Sequence, residues 1–111
     1  MGTDLCINGT HEFTHKRIVT IASLFVREVL DIKTEDCLNL SFKDFAKVVY
    51  NVQHFTDNLE RIAGLKEKHL YLLEKFTLDQ INEDLRYILR VFSCSLCEAI
   101  MYEEPVTLLW I

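Results

Sequence analysis

Two short strings in this chain have the spacing of recognised chemistry. His11-Glu12-Phe13-Thr14-His15 reads H-E-x-x-H. On a helix this spacing sets two imidazoles one turn apart on one face, where they hold zinc, with the glutamate between them to polarise a bound water. The class it points to is a small zinc-dependent hydrolase with His11 and His15 as ligands. The flanking residues Gly9, Thr10, Lys16 and Arg17 oppose it, because they leave such a helix without apolar anchors. No motif nominates a third ligand from His54, His69 or a carboxylate. Cys94-Ser95-Leu96-Cys97 is a C-x-x-C. A redox pair of this kind sits at a helix N-terminus, where the dipole lowers a thiol pKa. Here it falls inside the apolar half of a predicted helix, with no βαβ pattern around it. The expectation is a pair of buried core thiols. A four-ligand zinc site from Cys6, His11, Cys94 and Cys97 has irregular spacing.

Other chemistry has no carrier. The glycines are Gly2, Gly9 and Gly64, so no phosphate-cradling loop exists. No serine or cysteine lies in a nucleophile signature. The expectation is therefore no catalytic residue, no cofactor and no metal, with His11 and His15 the first metal candidates. The segment most suggestive of binding is the end of the chain. Leu108, Leu109, Trp110 and Ile111 are costly to leave in water, at about 1.5–3 kcal/mol for each large apolar side chain fully buried. They are expected to dock on the chain's own core or on another chain. In the second case they are the predicted partner-binding residues, as an extended segment that augments an edge or fills a groove.

These residues need elements to position them, and the apolar spacing predicts helices. Residues 1–10 read as a polar lead-in with a turn at Asn8-Gly9. A first helix is predicted over 13–30, capped by Thr10 or Thr14 and apolar round nearly its whole circumference. Residues 31–40 form a polar connection. Ser41 caps a second helix over 42–65, with Asp44 in its first turn. Phe42, Phe45, Val49, Val52, Thr56, Leu59 and Ala63 give this helix a seam in steps of three and four, and Gly64 stops it. A short helix follows over 66–76. Thr77 and Gln80 then form a capping box for a last helix over 78–101. Its second half is apolar almost all round, and Pro105 ends it. The fold class this implies is all-α: a compact bundle of about four helices in one domain, 1–111, with an extended apolar C-terminal tail.

Composition narrows the function classes. The chain has 111 residues, half of them apolar, with 17 Asp and Glu against 12 Lys and Arg, 3 Gly and 1 Pro. It is too apolar for disorder and too acidic to grip a phosphate backbone, so nucleic acid is not an expected partner. The longest uncharged apolar run, Ile18 to Val26, is too short to span a bilayer, so no membrane is expected either. With no secretory pattern around that run, the four cysteines are expected as reduced thiols and the location as cytoplasmic, or nuclear. Mean hydropathy is +0.10, a surplus for so small and charged a chain. The surplus lies in the first helix, the second half of the last helix and the tail. It predicts burial against another chain. The function expected is a non-enzymatic, helical protein–protein interaction or regulatory module, forming a homodimer or larger homo-oligomer or binding a different protein. The alternatives are the zinc hydrolase and a C-x-x-C redox protein. In helix lengths alone, the long helix 42–65 flanked by shorter ones is similar to the histone-type fold. That resemblance implies a heterodimer subunit, against which stand the acidic balance and the extra helix 66–76.

Overall fold

A computed structural model of the protein describes residues 4–30, 36–57 and 75–111. It begins with a hairpin. Strand β1 (Leu5–Ile7) turns at Asn8-Gly9 into β2 (Thr10–Phe13), with Ile7 paired to Thr10. Asn8 and Gly9 have φ of 51° and 85°. Two successive left-handed residues are what a two-residue hairpin turn needs, because its twist then matches that of the strands. Cys6 pairs with His11 and Leu5 with Phe13, leaving Glu12 as an extra residue in a β-bulge. The bulge turns Phe13 to the same face as Leu5, and both are buried.

Helix α1 (Lys16–Leu30) follows. His15 caps it: its carbonyl accepts from the Val19 amide at 3.0 Å and its ring Nδ1 accepts from the Arg17 amide at 3.1 Å. Strand β3 (Cys37–Leu40) leads into α2 (Phe42–Asp57). The predicted Ser41 cap is present, its hydroxyl accepting from the Asp44 amide at 3.2 Å. Helix α3 (Leu78–Tyr102) opens on the predicted capping box, in which Thr77 and Gln80 satisfy each other's backbone amides. It closes on Glu103, which takes a left-handed conformation at φ 53°. Strand β4 (Val106–Trp110) starts directly after Pro105.

The strands form one antiparallel sheet in the order β2-β1-β4-β3. The first and last strands of the chain are thus the two inner strands of the sheet. Leu5, Ile7, Phe13, Leu38, Leu40, Val106, Leu108 and Trp110 point from it into a single core with the helices. Aromatic rings tie the layers together edge to face. Phe92 of α3 meets Phe13 at 5.6 Å and Phe45 at 5.2 Å, while Phe25 meets Phe55 at 5.0 Å.

The all-α expectation is overturned. The protein is α+β, with a four-stranded antiparallel sheet and, among the described residues, three helices. The "lead-in" at 1–10 and the "connection" at 31–40 contain strands, and the expected extended tail is an inner strand. The first helix starts at Lys16 and not at residue 13, because residues 10–13 are spent in the sheet. Residues 58–74, which hold the rest of the expected helix 42–65 and most of 66–76, lie outside the described residues. The α2 stripe that is buried is Phe45, Val48, Val52 and Phe55, rotated from the seam read in the sequence.

Candidate interaction surface

The H-E-x-x-H string does not lie on one helix. His11 is on β2, Glu12 is the bulge residue and His15 is the cap of α1. His11 Nδ1 lies 2.9 Å from Asp4 Oδ2, and His15 Nδ1 is occupied by the Arg17 amide. The Glu12 carbonyl accepts a hydrogen bond from the Tyr87 hydroxyl at 3.3 Å. The string therefore fixes a bulge and a helix start, and the face shared by two imidazoles does not form. Among the described residues, no three His, Cys, Asp or Glu side chains converge as metal ligands do.

The cysteines divide differently from expectation. Cys94 and Cys97 are exposed in the middle of α3, so the predicted burial of this pair is corrected. They are far from the helix N-terminus, whose field fades within the first turn. Cys6 is the buried thiol. Burial, and then the charge of Asp4, push its pKa above the ordinary 9.0, so it stays protonated and inert at neutral pH. Register places Cys6, Leu109 and Cys37 in one row on the sheet face turned away from the helices, with Leu109 between the two cysteines. Cys6 and Cys37 are thus two strand spacings apart, about 9–10 Å, which is beyond disulfide reach.

The predicted partner-binding residues also separate. Leu108 is fully buried and Trp110 is 7% exposed, both within the chain's own core. The Trp110 indole N–H donates to Ser23 Oγ at 2.7 Å and its ring lies under the Arg27 guanidinium at 4.6 Å. Leu109 is half-buried on the opposite sheet face, and Ile111 is exposed. Most of the apolar surplus in α1 and the tail is thereby absorbed by the fold itself.

What remains outside is the end of α3. Ile100, Met101 and Tyr102 are 52%, 69% and 63% exposed, beside exposed Cys94 and Cys97. The same helix carries exposed Asp79, Glu83, Arg86 and Arg90 toward its start and exposed Glu98, Glu103 and Glu104 toward and past its end. Between α1 and α3, at the level of the arginines, lies a cleft of about 430 Å³ lined by Ile18, Glu83, Asp84, Arg86, Tyr87 and Arg90. Its floor is rigid. Asp84, 3% exposed, accepts from Arg17 Nε at 2.5 Å and Nη2 at 3.1 Å. The hydrogen bond to Asp84 raises the Arg17 pKa, so the guanidinium is charged at every physiological pH. The Arg90 guanidinium lies over the Tyr87 ring at 5.4 Å.

The sequence had flagged Ile100 and Met101 as surplus and had missed Arg86, Arg90 and the acidic end. Their signal was the charge order along the helix: Arg86 and Arg90 are mixed with Asp79, Glu83 and Asp84 in its first half, whereas Glu98, Glu103 and Glu104 leave its end acidic alone. No described helix is long and apolar enough to cross a membrane. Comparison of the chain with protein-family models, with curated proteins and with solved structures finds no match.

Proposed function

We propose that the protein is a non-enzymatic protein–protein interaction module that binds another chain through the C-terminal end of α3. The single observation that carries this reading is the exposure of Ile100, Met101 and Tyr102, three consecutive large side chains, with exposed Cys97 beside them. Scattered apolar residues are ordinary on a surface, whereas three large side chains arrayed round one helix end, with Cys97 one turn before Met101, give a partner apolar area to bury. Met and Tyr are enriched at such surfaces, and the acidic residues Glu98, Glu103 and Glu104 supply the polar rim. Ile111 and Leu109 are the parts of the chain's end still accessible to a partner.

The test is association measured by light scattering on the intact chain and on Met101→Glu. The charged variant is expected to lose association while its circular dichroism stays that of the intact chain. Association indifferent to Met101→Glu would contradict this surface as the binding site.

A further inference from the structure

Cys94 and Cys97 are both exposed and stand three residues apart within α3. That spacing sets them about 4.5 Å apart along the helix axis and on one face. Met101, also exposed, follows one turn after Cys97 on the same face. A long helical side chain leans back over the turn before it, which carries the thioether toward Cys97. One face of α3 thus presents two thiols and a thioether to solvent.

The helix decides what such a pair of thiols can do. A disulfide needs Cβ atoms about 3.5–4.5 Å apart, whereas residues three apart in a helix hold theirs at about 5–6 Å. Closing the bond would distort α3 between Phe92 and Ala99, which are both buried in the core. A metal ion between the sulfurs removes this conflict. With metal–sulfur bonds of about 2.3 Å, a linear S–metal–S unit sets the sulfurs about 4.6 Å apart, which suits the spacing of an undistorted helix.

The number and kind of donors select the ion. Among the described residues, no third His, Cys, Asp or Glu side chain joins the pair, so the four ligands of a structural zinc site are not assembled. Calcium and magnesium take oxygen ligands. Thiolate and thioether are the soft donors that favour Cu(I), an ion satisfied by two ligands in a line. We infer that Cys94 and Cys97 bind one Cu(I) ion as a two-coordinate dithiolate. Two S–H bonds break, two S–Cu bonds form and two protons leave to solvent, while copper keeps its oxidation state. Glu98, Glu103 and Glu104 give this end of α3 a negative potential that draws a cation toward the thiols.

The site lies within one chain and does not rest on the interface reading. Light scattering of Met101→Glu tests that reading, and copper binding tests this one. The experiment titrates the dilute, reduced, full-length chain with Cu(I) under anaerobic conditions against bicinchoninate as competitor. One ion per chain is expected. Iodoacetamide should then spare Cys94 and Cys97 and still alkylate Cys37, as read by mass spectrometry on the intact chain. In Cys94→Ser the affinity should fall by more than the roughly 10–100-fold that loss of an outer-shell partner costs a metal site. In Cys37→Ser it should be unchanged. Circular dichroism checks that each variant is folded. Equal affinity in Cys94→Ser, protection of Cys37 as strong as that of Cys94 and Cys97 (an adventitious ion only), or zinc(II) bound at one per chain in preference to Cu(I) overturns the site.

Discussion

Cys6 and Glu103 show how single residues here are governed by their surroundings. Cys37, Cys94 and Cys97 are exposed and Cys6 is buried. A thiol-reactive dye at neutral pH, applied to the chain dilute enough to be unassociated, should therefore label three thiols quickly, and the fourth only after denaturation. Because the Cys6 pKa is raised above 9.0 in the folded chain, the native state holds this proton longer than the unfolded state. Its contribution to stability is complete below that pH and is lost as the pH rises beyond it, which an alkaline unfolding series would show. At Arg17 and Asp84 the order of effects matters. Arg17→Met leaves a carboxylate buried without its partner and should lower the melting temperature more than Arg17→Met with Asp84→Leu, where the site is apolar throughout. Glu103 sits at φ 53°, a conformation that costs a non-glycine residue about 1–2 kcal/mol. Glu103→Gly should relieve about 1 kcal/mol of this in chemical denaturation. It also removes one acidic group from the proposed contact, so association should weaken while the fold becomes more stable.

At the scale of elements, what the sequence revealed and what it concealed have physical causes. The two caps read from Ser41 and from Thr77 with Gln80 are present, because capping is chemistry among neighbours. Thr77→Ala should cost about 1 kcal/mol in chemical denaturation. The strands escaped for the opposite reason. Each is three to five residues long, too short for a period of two to declare itself. β2 carries a bulge that breaks its alternation at Glu12. β1 and β3 find their partner, β4, only at the far end of the chain, a pairing that no local window contains. One local signal was available: Asn8-Gly9 is a dipeptide favoured in two-residue hairpin turns, although only the Leu5–Ile7 side of it is apolar. At Gly9, φ 85° excludes a side chain by backbone strain alone, since an added Cβ would meet nothing within 4 Å. Gly9→Ala should thus destabilise the fold by about 1–2 kcal/mol. The H-E-x-x-H string does not form a face of two imidazoles, because that arrangement presupposes a helix that the β1–β2 hairpin pre-empts. The signal for the proposed interface was partly visible, as apolar residues round the second half of α3. The tail follows the first of its two readings, docking on the chain's own core through Leu108 and Trp110 and leaving Leu109 and Ile111 accessible.

For the whole molecule, the sheet order makes the two ends of the described chain interdependent. β4 hydrogen-bonds to β1 on one side and β3 on the other, and it places Val106, Leu108 and Trp110 in the core. Removal of residues 106–111 should unfold the chain as a unit, seen as loss of the cooperative thermal transition. The surplus of apolar residues is largely accounted for by this sheet and the helices over it. The apolar surface left outside the fold is small and local, at the acidic end of α3. The most direct measurement is light scattering of the intact chain across a concentration range. The prediction is a mass rising above 13.0 kDa. A mass that remains at 13.0 kDa at every concentration would contradict the proposed association.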